Sequence, residues 1–499
     1  MKLYELINGY NNVEVTGDTK LEINGIEYNS KEAGQDKLFV AIKGEKLDGH
    51  NYITDAIDRG TRAFIVDKSF DTSGIDGAAI KVNNTLDALA YVSSRLYGKP
   101  SSEMMIAGIT GTNGKTTITY LLESIWKGEK QIVGIIGTVN YRFNNYSEPS
   151  SLTTPMSRDL QGLLSLMRDS GVQKVFMEVS SHSLEKNRIN YCDIDVAVFT
   201  NITQDHLDYH QDFENYYSAK KKLFSIILSK SAKKQKIAVS NLDDPRGEDI
   251  VNEFTGDKIM YSVSDSSADV FAEHSKYSEN GIEALVNTPW GKINVKSSLI
   301  GTHNLSNILG AIGCSMCMGA NIRSVEKGIS NLKNIPGRLE RIENNSGFSV
   351  FVDYAHTPDA LKNVMNVLRS FTQKRLIVVF GCGGDRDTSK RPQMGIHAAD
   401  IADYVIVTSD NPRTESPASI MHDIEKGIKS INGLKSEYVL IEDRKSAIIK
   451  AVKMLRPGDV LLVAGKGHED YQIVGIEKKH FDDREECRKA IMEVNSYSH

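Results

Sequence analysis

Apolar residues in this chain recur with two periods, which alternate in blocks. Short, nearly continuous apolar runs fall at Leu38–Ile42, Ala63–Val66, Met104–Ile109, Val175–Val179, Val196–Thr200 and Ile237–Val239. They return at Ser349–Val352, Leu376–Phe380, Tyr404–Val407 and Val460–Ala464. Runs of this length with little alternation predict strands buried on both faces. Between them the period becomes helical. Ile118, Leu121, Leu122, Ile125 and Trp126 recur at i, i+3, i+4, i+7 and i+8, one face of a helix. Helices are also predicted near 51–60 and 84–97. Strand–helix alternation implies parallel sheets covered by helices on both faces. Residues 265–300 alternate more strictly and predict an antiparallel appendage.

Two turn-rich breaks divide this pattern, Tyr97-Gly-Lys-Pro-Ser-Ser102 and Asn334-Ile-Pro-Gly-Arg338. The expected organisation is three α/β domains: a smaller one over 1–100, a central parallel-sheet domain over 101–335, and another doubly wound domain over 336–499. A length of 499 residues agrees, at roughly 150 residues per domain. No tandem repeat or low-complexity segment interrupts it.

Composition narrows the class. Apolar content of 40% and charged content of 25% are those of a soluble globular protein. Sixty basic against 65 acidic residues give a net charge of −5, which argues against a nucleic-acid surface. The five cysteines are few and odd in number, so a reducing compartment is expected rather than a disulfide framework. Cys314 and Cys317 lie on a predicted helix with no second Cys or His pair nearby, and read as small packed residues. No apolar run approaches the ~18 residues of a membrane span, and the start lacks a signal-peptide apolar region. The reading is a cytoplasmic enzyme, with no membrane insertion, acting as a monomer.

The most informative motif is Gly108-Ile-Thr-Gly-Thr-Asn-Gly-Lys-Thr-Thr117, set between the strand at 104–109 and the helix that follows. Strand, glycine loop, Lys-Thr and helix together hold nucleotide phosphates. Glycines let backbone N–H groups approach, the helix N-terminus adds positive potential, Lys115 reaches the phosphates, and Thr116 can ligate Mg²⁺. Ile109 stands where the commoner pattern has its first glycine, so the loop belongs to a narrower type. Gly111, Thr112, Asn113, Gly114 and Thr117 complete it.

Other polar groups also follow strands. Glu178 ends one and suits a Mg²⁺ ligand or a water-orienting group. The stretch Thr200 to His210 is a polar loop just past another, with His206 a candidate second metal ligand. Lys220–Lys222 by spacing alone reads as a solvated helix face. In the last third, Asp353-Tyr-Ala-His-Thr-Pro358, Gly381-Cys-Gly-Gly-Asp-Arg386, Asp410-Asn-Pro-Arg413 and Gly465-Lys-Gly-His-Glu469 each fall just past a strand. In an open α/β sheet such loops converge on one edge.

Together these motifs resemble the Mur ligases, ATP-dependent amide-bond formers of peptidoglycan synthesis, over the whole chain and in order. The resemblance implies a UDP-sugar-binding N-terminal domain, a central ATPase domain of phosphate-loop type and a Rossmann-like C-terminal domain that binds the amino acid. It implies that Lys115 binds phosphates, that Thr116 and Glu178 hold Mg²⁺, and that His206 serves a second Mg²⁺. Lys220 matches the family's carbamylated lysine. Asn304 and Asn307 match adenine-side positions, and Arg338 and Asp353 match nucleotide contacts. Thr153, Thr154, Ser180, Lys186 and Arg188 match the muramoyl-peptide site, and Ser30 the uridine site. Two departures stand out: Asn29-Ser30-Lys31 where the family has Asp-Ser-Arg, and Lys186 where it often has Gln.

The implied substrates are ATP, UDP-MurNAc-L-Ala-D-Glu and an amino acid. Arg386, Asp410, Asn411, Pro412, Arg413, Gly465 and Glu469 match the amino-acid site. Arg413 offers a planar fork for a carboxylate and repels a bare ammonium, which favours meso-diaminopimelate over L-lysine. Two other classes share part of the pattern. The N-terminal domain and the last two loops speak against a folylpolyglutamate synthetase. Intact Lys115, Glu178, His206 and Lys220 speak against a non-catalytic nucleotide-binding regulator.

Overall fold

A computed structural model describes residues 1–44 and 47–496, and three α/β layers follow one another along it. The first holds β1 (Glu14–Thr16), β2 (Gly25–Glu27), β3 (Lys37–Val40), β4 (Ala63–Asp67) and β5 (Ala78–Val82), in the order β1-β5-β4-β3-β2. All pairs are parallel except β1 with β5.

The central sheet is built on β6 (Met105–Thr110), β7 (Val133–Ile136), β8 (Asn140–Phe143), β9 (Tyr146–Pro149), β10 (Lys174–Glu178) and β11 (Val196–Phe199). It continues with β12 (Ile237–Asn241), β13 (Asp257–Ser262), β14 (Val270–Ser278), β15 (Gly281–Thr288) and β16 (Gly291–Ser297). The order is β16-β15-β14-β13-β12-β11-β6-β10-β7-β8-β9. β6 therefore lies between β10 and β11, parallel to both, and the loops that leave all three open on the same edge. The alternating stretch at 265–300 is not a separate appendage. β14 joins β13 in parallel, and only then does the chain turn into antiparallel hairpins. Its inward residues Ile282, Val286, Ile293 and Val295 enter the same core as the helix Lys115–Lys127, while the opposite face is solvated, which is what the alternation reported.

The third layer holds β17 (Glu340–Arg341), β18 (Ser349–Asp353), β19 (Leu376–Phe380), β20 (Tyr404–Val407), β21 (Glu437–Leu440) and β22 (Val460–Ala464), in the order β17-β18-β22-β19-β20-β21. A small hairpin follows, β23 (Tyr471–Val474) with β24 (Glu477–His480). Helices cover both faces. Pro358–Phe371, Lys390–Ile401 and Pro417–Lys429 pack on one, and Arg444–Lys453 and Asp483–Ser496 on the other. The central strands β19, β20 and β22 are apolar because each side meets a helix; burying one Leu, Ile or Val contributes about 1.5–3 kcal/mol.

Polar contacts join the layers. Tyr28 donates to Asp159 Oδ2 at 2.6 Å, and Arg158 to Glu27 Oε1 at 2.7 Å. Asp87 accepts from Tyr10, Asn190 and Tyr191. Cys314 is buried and free on the helix Thr302–Cys317, its Sγ 3.9 Å from Met318 Sδ, as a packed residue should be. All five cysteines are free.

One buried ion pair fixes loops at the mouth of the third sheet. Arg444 and Asp483 are fully buried; Nε and Nη2 each lie 2.7 Å from a carboxylate oxygen. The same guanidinium donates to Ser409 O at 3.3 Å and Ala464 O at 2.9 Å, tying together the ends of β20 and β22. Removing one partner strands the other charge in the core. Asp483→Ala is therefore expected to cost about 3–5 kcal/mol, read as a lowered midpoint for the C-terminal sheet's unfolding transition. A midpoint within error of wild type would show that the pair does not hold these loops.

Candidate active site

The phosphate loop is shaped by what cannot fit in it. Gly111 and Gly114 have φ of 149° and 90°, and a Cβ at Gly114 would stand 2.2 Å from Asn307 Oδ1. Loop and neighbours are stitched together: Thr112 N donates to Asn201 O at 2.8 Å, Asn113 N to Asn201 Oδ1 at 3.0 Å, and Thr200 Oγ1 to Asn113 O at 2.6 Å. Lys115 opens the helix and folds back, donating to Gly111 O at 2.8 Å and Thr112 O at 2.9 Å. Burial pushes its pKa down, opposed by Glu178.

Glu178, at the end of β10, is buried and held from two sides. Thr116 Oγ1 donates to Oε2 at 3.1 Å; Thr138 donates its N–H to Oε1 at 3.0 Å and its hydroxyl to Oε2 at 2.9 Å. Gly137 leaves room for this carboxylate, since a Cβ there would lie 2.4 Å from Oε1. Thr138 follows an apolar strand and a glycine, a signal that the sequence reading passed over. Thr154 is buried and donates to Glu178 O at 2.8 Å, while Arg188 donates to Thr154 O at 3.0 Å. Thr153 reaches Thr138, and Ser180 caps the helix Ser181–Glu185.

Lys220 departs from the solvated face that spacing alone predicts, and is buried where the family motif sets it apart from Lys221 and Lys222. It is 1% exposed on the helix Phe213–Lys222, its Nζ donating to Gly111 O at 2.9 Å and lying 4.5 Å from the centre of the Tyr216 ring. Lys221 and Lys222 instead pair with Glu253 and Glu185 near the surface. Burial, and then Lys115, push the pKa of Lys220 well down.

His206 has φ of 55° and sits 3.4 Å from Asp205. Its ring belongs to a cluster: His182 lies 5.0 Å from His206, 4.2 Å from Tyr209 and 5.4 Å from His210. His210 reaches Ser181 Oγ at 2.9 Å. Burial and mutual repulsion push His182 down to about 3 and His210 to about 4. Lys186 stands 5.1 Å from the Tyr209 ring.

Beside the phosphate loop a cavity of about 140 Å³ is lined by Asn304, Asn307, Arg338, Asp353, Tyr354 and His356, among others. Residues of the central and C-terminal sheets thus close one pocket. Arg338 donates to Thr116 Oγ1 at 3.3 Å and lies 4.8 Å from the Tyr354 ring centre. Asp353 is buried and accepts the N–H groups of Leu339 and Ala355. Burial raises its pKa, opposed by Arg338.

Tyr354 and His356 also line a larger cavity of about 670 Å³. Thr153, Ser180, Arg188, Asp205 and His206 form one wall; Arg386, Asp410, Asn411, Arg413, Gly465 and Glu469 form the other. Arg386 is exposed. Arg413 has φ of 52° and donates to Gly384 O at 2.7 Å. Its backbone is clamped by β23, Arg413 N donating to Ile473 O and Gly475 N to Arg413 O. Pro412 is buried, its carbonyl filling the space beside Gly384. Ser30 lies elsewhere, in a short turn of the N-terminal layer capped by Asn29. The four C-terminal loops flagged in the sequence meet here, but Tyr354, His356, Lys466 and Tyr471 within or beside them were not singled out.

A phosphate loop whose nucleotide pocket adjoins a large polar cavity between two α/β layers defines an enzyme of nucleotide-driven group transfer. Comparisons with known proteins agree. The Mur ligase family catalytic domain matches residues 22–97, the Mur ligase middle domain 109–315, and the Mur ligase glutamate ligase domain 337–467. A UDP-N-acetylmuramoyl-L-alanyl-D-glutamate–2,6-diaminopimelate ligase of Geobacter metallireducens is 43% identical over 99% of both chains. A second ligase of that name, from Clostridium acetobutylicum, is 40% identical over 97% of this chain and 99% of that one. A solved structure of such a ligase superposes with a TM-score of 0.71 at 30% identity, covering 100% and 99% of the two chains. Folylpolyglutamate synthase of Mycobacterium tuberculosis shares the fold at a TM-score of 0.59 and 17% identity, over 76% of this chain and 92% of its own. The chain belongs to the Mur ligase family.

The histidine cluster makes a testable demand on stability. The folded values of His182 and His210 lie below the ordinary 6.5, so the unfolded chain binds more protons in acid. Stability should fall as pH drops from about 6.5 towards 4, by at most about 1.4 kcal/mol per pH unit for each histidine kept neutral. Thermal midpoints across that range should fall less steeply in a His182→Gln/His210→Gln variant. An unchanged slope would mean that other groups govern acid unfolding.

Proposed function

We propose that this chain joins meso-diaminopimelate to the glutamate γ-carboxylate of UDP-MurNAc-L-Ala-D-Glu, using ATP, as a monomeric cytoplasmic enzyme of cell-wall synthesis. One observation carries the reading: Ser180, Arg188 and His206 face Arg413 and Glu469 across a single cavity that adjoins the nucleotide pocket. Similarity to the diaminopimelate ligases over nearly the whole chain supports it. We assign residues 1–100 to the UDP-sugar, with Ser30 at the uridine, 101–335 to ATP, and 336–499 to the amino acid.

On this reading the γ-carboxylate takes the γ-phosphoryl group of ATP, giving an acyl phosphate and ADP. The amine of diaminopimelate then attacks the acyl carbon, and phosphate leaves as the amide forms. Two anions must meet, so positive potential is obligatory, and the Lys115 ammonium with the phosphate-loop N–H dipoles supplies part of it. Asn304 and Asn307 serve the adenine side, and Arg338 and Asp353 the nucleotide from the other layer. Thr153, Thr154, Ser180, Lys186 and Arg188 serve the muramoyl dipeptide. Arg188 gives a positive charge for its carboxylates, and Lys186 adds one where the family often has Gln. Residues from two layers line the cavity, which helps to exclude water from the activated acid.

The donors fit magnesium. Thr116 and Glu178 offer hard oxygens 3.1 Å apart, few enough to leave room for phosphates and water, as Mg²⁺ prefers. When bound, Mg²⁺ neutralises phosphate charge and polarises the P–O bond under attack. His206 and Lys220 would serve a second ion. Among the described residues no trio of His, Cys, Asp and Glu is preassembled for a metal, and an ammonium cannot ligate one. A carbamate on Lys220 would supply the missing oxygens. The lowered pKa of Lys220 favours it, because only the neutral amine adds to CO₂, releasing a proton as the N–C bond forms.

Two tests follow. Lys220→Ala should lose turnover and regain part of it with a short carboxylic acid, and ¹³C-bicarbonate should give a carbamate resonance in wild type that the variant lacks. A wild-type spectrum without that resonance would count against the modification. Arg413→Ala should lower kcat/KM for diaminopimelate at least ~30-fold, since truncating one partner of a buried charge pair costs about 2–5 kcal/mol. The KM values of ATP and UDP-dipeptide should hold, and Arg413→Lys should also be poor because an ammonium lacks the fork. A wild-type preference for L-lysine would overturn the choice of amino acid.

A further inference from the structure

Lys466 has no exposed surface, yet nothing in the mechanism above uses it. It lies between Gly465 and Gly467, whose φ values are 111° and 55°. A Cβ at Gly467 would press on Tyr354 Cβ at 2.7 Å, so the loop can enter here only with a glycine. The Lys466 ammonium donates to Glu469 Oε2 at 3.0 Å and to Asn411 Oδ1 at 3.3 Å, and lies 5.4 Å from the Tyr471 ring centre. Asn411 Nδ2 donates to the same Glu469 Oε2 at 2.8 Å. The amide's orientation is fixed in turn, because Ile473 N also donates to Asn411 Oδ1, at 3.0 Å.

The two oxygens of Glu469 are therefore unequal. Oε2 takes two donors, both anchored, while Oε1 accepts no hydrogen bond among the described residues, and Glu469 lines the large cavity. We propose that Lys466 is a positioning residue for amino-acid recognition: with Asn411 it pins Oε2 of Glu469, so that Oε1 is presented to the incoming amino acid's distal ammonium. This rests on the reading of Glu469 as part of the amino-acid site. Burial and the neighbouring Asp410 carboxylate push the Glu469 carboxyl up, and Lys466 is the charge that opposes them. Tyr354, Tyr471 and Arg413 line the same cavity as Glu469. Without Lys466 the Glu469 carboxyl loses the charge that opposes burial and Asp410, and Oε2 loses one of its two anchors.

The test uses the full-length enzyme, with phosphate release measured at saturating ATP and UDP-dipeptide while diaminopimelate is varied from mildly acid to alkaline pH. Lys466→Met keeps the unbranched chain and removes the charge. It should raise KM for diaminopimelate about tenfold or more at neutral pH, and move the acid limb of kcat/KM up by about one pH unit. The change in kcat should stay within about threefold, with the other two KM values unchanged. In a Glu469→Gln background the same substitution should add nothing, because Lys466 acts through Glu469. Equal losses with and without Glu469, an unmoved acid limb, or a rise in all three KM values would overturn the proposal. Should Lys466→Met fail to fold, Lys466→Met/Glu469→Gln decides: removing both charges should restore folding, and a double variant no more stable than the single would refute the idea. A wild-type enzyme that does not use diaminopimelate would instead defeat the proposed function.

Discussion

Two lysine amines meet on one carbonyl oxygen. Lys115 and Lys220 both donate to Gly111 O, at 2.8 and 2.9 Å, and Arg338 stands a hydrogen bond away from Thr116. Nearby, Glu178 is braced by Thr116 and Thr138. A backbone oxygen is a weak answer to two cations in a desolvated place, and the depressed lysine pKa values express that deficit. In the proposed reaction the phosphate groups of ATP answer Lys115, and a carbamate formed from CO₂ answers Lys220. Much of the surrounding structure holds this frustrated centre in place.

The fold supplies the restraint. Parallel strands deliver their loops to one edge, so β6, β10 and β11 place the phosphate loop, Glu178 and the His206 loop together, although the chain visits them far apart. The C-terminal sheet repeats the device with β18, β19, β20 and β22. Its loops are braced by buried ion pairs, Arg444 with Asp483 and Lys466 with Glu469. Such pairs add little net stability, but they fix geometry, because breaking one leaves a buried charge, that of Arg444, Asp483 or Lys466, without its partner. The reacting groups can then be presented without reorganisation at the moment of reaction.

Tyr354 stands where the central and C-terminal layers meet. Its ring lies beneath the Arg338 guanidinium, 4.6 Å from His356 and 5.0 Å from His468, and it borders both cavities. The two cavities therefore share a wall built by one short loop, Asp353–Pro358. That wall also fixes where the conformational glycines Gly337 and Gly467 must stand, since a side chain at either would strike its neighbours.

Much of this was legible in the sequence. Continuous apolar runs and helical periods depend on local geometry alone, so ten strands, the phosphate loop and the four C-terminal loops could be placed by pattern. Spacing could not single out Lys220, which only the family motif did: among three consecutive lysines, spacing favours solvent for all of them, and the packing of the helix Phe213–Lys222 against the phosphate loop buries one. Thr138, Tyr354 and Lys466 were hidden for the same reason, since each also depends on a partner distant in the chain: Glu178 for Thr138, Arg338 for Tyr354 and Asn411 for Lys466. The hairpins at β8–β9 and β23–β24 are too short and polar to signal themselves, and the register of β14 against β13 is a tertiary choice. The sequence by itself determined which segments could be buried strands and which loops could carry charge. Tertiary structure decided which charges lose water, because desolvation depends on what packs against a group and not on what flanks it in the chain.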